Sequence, residues 1–206
     1  MTIDKNTILF GSFSSNPGNN GCIFFNSLFE ENNINAIYKS FYSEDIEKSY
    51  NSAKNLGFGG FAVSMPFKFE IVKIVDELDS SAEIIGAANT VVFKDNKSIA
   101  YNTDWIAVKK YLEELNINFL TIAGNGGFSK AVQHACNLLK INFELITRDN
   151  WNKLPKVNNQ IFNATPAEII GKNIIDGRPH TKTGKLIAKL QANEQYLIYS
   201  SVFSDV

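Results

Sequence analysis

The stretch Phe119-Leu-Thr-Ile-Ala-Gly-Asn-Gly-Gly-Phe-Ser-Lys-Ala131 restricts the folds open to this 206-residue chain more than any other. An apolar run, a turn carrying Gly124, Gly126 and Gly127, and a helix start read as the opening of a parallel α/β unit. The glycines remove the Cβ atoms that would hold a pyrophosphate off the backbone. The helix beyond offers N–H groups and the positive end of its dipole. A glycine cluster alone is equally well explained by a tight turn. Its place between strand and helix favours a dinucleotide, as does a second strand ending at Ile146, about twenty residues on.

After that strand stands Thr147-Arg148-Asp149. Arg148 would pair with a 2′-phosphate and select NADP, whereas Asp149 would accept from a ribose 2′-hydroxyl and select NAD. The preferred reading is NADP.

The rest of the chain alternates in the same way. Strands are expected at Thr7–Phe10, Ala36–Phe41, Gly60–Met65, Phe143–Ile146 and Gln160–Asn163, with a polar loop over Ser12–Gly21. Helices are expected at Ile23–Asn32, Ser43–Leu56 (capped by Ser43), Phe67–Leu78, Asp104–Leu115 and Ser129–Leu139. Thr90–Phe93 and Ser98–Tyr101 flank Lys94-Asp-Asn-Lys97 as a hairpin. This order argues for parallel α/β sheets.

Twenty basic residues against twenty-one acidic ones leave a net charge of −1, spread along the chain. That balance speaks against a nucleic-acid partner. No apolar run approaches the ~20 residues of a membrane helix, and the N-terminus lacks the apolar core of a signal peptide. Cys22 and Cys136 have no ligand spacing around them, so reduced thiols, no metal and a cytoplasmic location are expected.

Three further motifs carry chemistry. Val63-Ser-Met-Pro-Phe-Lys68 aims an amine across a strand end. Gly86-Ala-Ala-Asn-Thr90 and Tyr101-Asn-Thr-Asp104 put small polar residues at element boundaries. Singly, each is better read as an exposed lysine, a turn, or a helix cap by Asn102 or Thr103. His134, in a helix, reads as structural or surface, and His180, near Arg178, Lys182 and Lys185, as part of a basic loop, for which solvation is the preferred reading and contact with a phosphate the alternative.

The joint order of P-F-K, G-A-A-N-T, N-T-D, the glycine loop and Asn163-Ala-Thr-Pro166 resembles the shikimate dehydrogenase family over most of the chain. The resemblance implies an α/β substrate lobe at residues 1–103, a shortened Rossmann-like NADP lobe at 104–183, and a closing helix at 184–206 that returns to the first lobe. It implies an NADP-dependent oxidoreductase interconverting a cyclic keto acid and its hydroxy acid, such as 3-dehydroshikimate and shikimate. Lys68 and Asp104 take the places of the family's catalytic pair, and Ser14, Ser64, Asn89 and Gln191 those of substrate ligands. Gly124, Asn125, Gly126, Gly127, Phe128, Thr147, Arg148, Asn163 and Thr165 fall at cofactor-binding positions. The partner implied is a small cyclic hydroxy acid, and a homodimer is one assembly open to the chain.

Two departures stand out. The family's Ser-x-Ser-Pro after the first strand is replaced by Gly11-Ser-Phe-Ser-Ser-Asn-Pro-Gly18, where Ser14 or Ser15 could supply the hydroxyl. Between Asn163-Ala-Thr-Pro166 and the closing helix, part of the family's second lobe is missing. A catalytically weak relative that binds a small molecule as a sensor or regulator is the alternative these departures keep open.

Overall fold

The computed structural model describes residues 3–203. The chain forms two compact units, one of residues up to Asn102 together with those from Ala192 onward, the other Thr103–Gln191.

The first unit is built on a six-stranded sheet. Its strands are β1 (Ile8–Ser14), β2 (Ala36–Tyr42), β3 (Phe58–Val63), β4 (Glu77–Leu78), β5 (Thr90–Lys94) and β6 (Lys97–Tyr101), in the order β2-β1-β3-β5-β6-β4. β1 runs parallel to β2 and β3, while β5 is antiparallel to both β3 and β6. The expected parallel sheet is therefore mixed here. The hairpin reading is correct, with Asp95 and Asn96 taking the positive φ of 51° and 62° that a two-residue turn demands.

β1 continues through Ser14, where a loop was expected. Phe13 is the cause: it is buried edge-on against Phe61, with ring centroids 5.1 Å apart, while Ser12 Oγ donates to Ser40 Oγ at 3.0 Å. At Gly60 an added Cβ would sit 2.6 Å from the Val91 carbonyl, so only glycine lets β3 and β5 approach as they do.

Helices α1 (Asn20–Glu31), α2 (Ile46–Asn55) and α3 (Ser80–Ile85) belong to this unit. α2 is capped by Asp45, which accepts from the Lys48 N–H at 3.0 Å, and not by Ser43, whose hydroxyl donates to the Asp45 carbonyl. The carboxylate is the stronger cap because it also meets the helix dipole.

Phe67–Leu78 is no α-helix but two 3-10 turns, Phe67–Phe69 and Ile71–Lys73, followed by β4. Ile71, Val72, Ile74 and Val75 are β-branched, which crowds a helix. Asp76 also ties the segment to β6, accepting from the N–H and hydroxyl of Ser98, each at 2.8 Å.

The second unit contains α4 (Asp104–Glu113), β7 (Phe119–Ala123), α5 (Gly127–Leu139), β8 (Asn142–Ile146), β9 (Ile161–Asn163) and β10 (Ile174–Asp176). Its sheet is parallel throughout, in the order β10-β9-β7-β8. Leu120, Ile122, Val132, Ala135, Cys136 and Phe162 are buried together between sheet and helices. Burial pushes the Cys136 thiol up to about 12, which makes it an inert core residue. α6 (Lys182–Ser200) begins in the second unit and ends in the first. Among the described residues no helix is long and apolar enough to cross a membrane.

Candidate active site

Strand directions bring one set of side chains to a single edge of the first sheet. β1 and β3 are parallel and end at Ser14 and Val63, whereas β5 runs the other way and begins at Thr90. Ser64, after β3, donates its N–H to the Phe13 carbonyl at 3.1 Å, and its own carbonyl accepts from the Phe67 N–H at 3.0 Å. Lys68, in the turn that follows, is held through its carbonyl by the Ala88 N–H at 2.9 Å. Asn89 donates its N–H to the Tyr101 carbonyl at 3.0 Å and accepts from the Val63 N–H at 2.8 Å. Ser14, Ser64, Lys68 and Asn89 are thus fixed to one rim by backbone hydrogen bonds. Ser14 and Asn89 are buried, Lys68 is half-buried and Ser64 is exposed. Ser15 turns its hydroxyl to the Met65 carbonyl at 3.4 Å.

Asp104 and Gln191 belong to the second unit. Asp104 is buried in the first turn of α4, where a carboxylate is favoured by the helix dipole. Thr103 occupies the cap position without a side-chain cap bond, and its Oγ1 accepts from Gln191 Nε2 at 3.1 Å. Asn102 donates to the Ala87 carbonyl at 2.8 Å. Thr103 thus bonds Gln191 through its hydroxyl and does not cap α4 with it.

The glycine loop joins β7 to α5, which starts at Gly127 with no side chain capping it. Gly124 has φ +112°, and an added Cβ would lie 2.9 Å from Thr165 Cγ2 and 3.0 Å from the Ala164 carbonyl. At Gly126 an added Cβ would meet nothing within 4 Å, so there is open space against the helix start. An uncapped helix end facing open space fits a phosphate group. Asn125 is exposed, and Phe128 packs on Phe162 with centroids 5.9 Å apart.

The remaining expected cofactor positions divide. Arg148 and Asp149 are exposed at the end of β8. Thr147 forms a capping box with Asn150, whose Oδ1 accepts from the Thr147 N–H at 2.6 Å. Asn163 is buried and organises its own loop: Oδ1 accepts from the N–H and hydroxyl of Thr165 at 3.0 and 2.8 Å, and Nδ2 donates to the Ala167 carbonyl at 2.8 Å. The Asn163 carboxamide is spent on shaping the loop that backs Gly124.

A feature passed over in the sequence lies nearby. Arg178 is not a solvated cation: its Nε and Nη2 donate to the Asp176 carboxylate at 3.0 and 2.7 Å, with Glu168 at 3.5 Å. Burial alone would raise the Asp176 carboxyl, but the hydrogen bonds and charge of Arg178, helped by His180, hold it below the ordinary carboxylate range. A carboxyl depressed in the folded state stabilises above its unfolded pKa of about 3.9 and loses that contribution as pH falls through the folded value. Arg178→Met should therefore lower the melting temperature most near pH 7. The gap to wild type should close below about pH 4, as followed by thermal melts across pH.

The substrate-binding domain of shikimate dehydrogenases matches residues 21–91. A shikimate dehydrogenase-like protein of Haemophilus influenzae is 41% identical over 133 residues, covering 63% of this chain and 49% of the relative. The NADP(+) shikimate dehydrogenase of Methanococcus vannielii is 32% identical over 217 residues, covering 99% of this chain and 66% of that protein. The solved structure of a shikimate 5-dehydrogenase-like protein superposes with a TM-score of 0.79 at 27% identity, covering 99% of this chain and 97% of the other. This chain belongs to the shikimate dehydrogenase family. Another similar structure, the shikimate dehydrogenase of Aquifex aeolicus, has a TM-score of 0.75 at 25% identity, covering 97% and 95% of the two chains.

In sequence, this family member spans about half to two thirds of the length of the first curated relatives it matches. Among its described residues no cluster of His, Cys, Asp and Glu could hold a metal ion.

Proposed function

We propose that the chain is an NADP-dependent shikimate-type dehydrogenase that reduces a cyclic keto acid and oxidises the corresponding hydroxy acid. The observation that carries this is the set of Ser14, Ser64, Lys68 and Asn89 on one rim of the first sheet. Four polar side chains on a rigid backbone edge suit a small, polyhydroxylated ligand better than a protein partner.

When bound, NADPH supplies the hydride. The chain's own residues supply the rest. Lys68 gives its proton to the oxygen as it gains negative charge, and Asn89 and Ser64 hydrogen-bond ring hydroxyls. Asp104, the second member of the family's Lys/Asp pair, accepts from a ring hydroxyl. Gly124–Phe128 receive the pyrophosphate at the N-terminus of α5. Free Cys22 and Cys136 suit a reducing cytoplasm.

The direct test follows absorbance at the nicotinamide band with purified protein, NADP and a panel of cyclic hydroxy acids, shikimate included. Turnover supports the reading. Saturable binding of a hydroxy acid with no turnover, and no dinucleotide binding, would favour a sensor or regulator.

Cofactor choice is tested at Arg148. Its side chain is exposed just after β8, the position at which a Rossmann unit selects its cofactor, and a guanidinium there can form paired charge-assisted bonds with a 2′-phosphate. Such bonds are worth roughly 1.5–3 kcal/mol, so Arg148→Ala should weaken NADP about ten- to a hundredfold and leave NAD nearly unchanged. Titration of both dinucleotides into wild type and variant decides it. A wild-type preference for NAD would make Asp149 the selector.

A further inference from the structure

Gln195 follows Gln191 by one helical turn, but it lies in the part of α6 that belongs to the first unit. Only 4% of it is exposed. Its Nε2 donates to the Asn89 carbonyl at 3.1 Å and to Thr90 Oγ1 at 2.8 Å, and Thr90 Oγ1 donates to Asn89 Oδ1 at 3.1 Å. A buried carboxamide is costly unless its bonds are made, so its presence here calls for a reason.

The Gln195 direction is fixed by chemistry, and the Thr90 direction is given by the bonds its hydroxyl makes. A backbone carbonyl only accepts, so the Gln195 atom facing it must be the nitrogen. The Thr90 hydroxyl has one proton; it accepts from Gln195 and gives that proton to Asn89. Only the carboxamide oxygen of Asn89 can receive it, which turns Oδ1 towards Thr90 and the amide nitrogen the other way. Asn89 is 2% exposed and Thr90 fully buried, so water does not compete strongly for these bonds.

We infer that Gln195 is a positioning residue that, through Thr90, sets which end of the Asn89 carboxamide is presented to the substrate. The inference rests on the proposal that Asn89 binds a substrate hydroxyl. A merely structural Gln195 would dock α6 and leave the Asn89 side chain unaffected.

Two measurements test this on the full chain. The first records the Asn89 side-chain amide pair by ¹⁵N NMR, assigned by its disappearance in Asn89→Asp. Gln195→Met and Thr90→Val should each shift that pair and speed its solvent exchange at least about fivefold, as expected on losing one buried hydrogen bond. An unmoved pair in both variants overturns the inference. Movement in Gln195→Met alone overturns the route through Thr90. If Gln195→Met does not fold, an unmoved pair in Thr90→Val, which exchanges the hydroxyl for a methyl of similar size, still overturns the inference.

The second measurement is kinetic. Gln195→Met should raise KM for the hydroxy acid about five- to tenfold with kcat within about twofold, and should raise it no further in an Asn89→Ala background. An equal rise in both backgrounds overturns the inference. A wild-type protein without turnover would sink the proposed function, while the amide measurement would still decide the positioning role.

Discussion

Lys68→Ala is expected to lower kcat at least about a hundredfold while leaving KM for the hydroxy acid within a few-fold. The ammonium is proposed to act when charge develops on the reacting oxygen, so its loss falls on the transition state and not on the bound ground state. The backbone around it should survive the change. The Lys68 carbonyl keeps its bond from the Ala88 N–H, and Phe67 and Ile71, which anchor the two 3-10 turns, stay buried. The melting temperature should therefore move by no more than a few degrees. Lys68→Arg separates two roles for the same charge. A guanidinium keeps the positive charge but does not give up a proton near neutral pH, so it should restore little activity if proton transfer matters. Near wild-type kcat in Lys68→Ala would remove the residue from the chemistry altogether.

What could be read from the sequence depended on how far apart the interacting residues lie. β7 is delimited by its own apolar run and the glycine that ends it, and the hairpin by Asp95 and Asn96, so local pattern was enough for both. Phe67–Leu78 was misread because its apolar residues are spaced like a helix while their β-branching and the Asp76–Ser98 tie oppose one. The end of β1 was misread because Ser12 and Ser14 look like loop residues, and the Phe13–Phe61 contact is invisible along the chain. The rim of Ser14, Ser64, Lys68 and Asn89 could be named from motif order, but its geometry depends on β5 running against β3. Gln195 was passed over because its partners, Asn89 and Thr90, are more than a hundred residues away. Its only advance sign was its place one turn beyond Gln191. Asn163 stands at a motif position that the resemblance makes a cofactor contact, but the motif could not say whether its carboxamide faces a ligand or, as the bonds to Thr165 and Ala167 show, its own loop.

Gly124→Ala should do more damage than a single methyl suggests, on both stability and the dinucleotide. Gly124 holds φ +112°, a region that costs an L-residue about 1–3 kcal/mol. Its new Cβ would also press on the Ala164 carbonyl at 3.0 Å, and backbone cannot swing aside as a side-chain end can. Relief by moving the backbone is costly too. The Gly124 N–H donates to the Ile146 carbonyl at 2.8 Å, and its carbonyl accepts from Ser129 Oγ at 2.8 Å. Those bonds join the end of β8 to the start of α5, so a shift at Gly124 would turn the helix end away from the phosphate it is proposed to receive. A combined cost of about 2–4 kcal/mol corresponds to a fall in melting temperature of roughly 5–15 °C in a chain of this size. NADP affinity should fall by more than a hundredfold, because the loop and the first turn of α5 are displaced together. Gly126→Ala is the control, since a Cβ there meets no protein atom within 4 Å. It should leave the melting temperature of the free protein nearly unchanged and weaken NADP by filling the space proposed for the pyrophosphate. Thermal melts of both variants with and without NADP read the two effects separately. If Gly126→Ala leaves NADP binding intact while Gly124→Ala only destabilises the fold, the pyrophosphate does not lie against this loop.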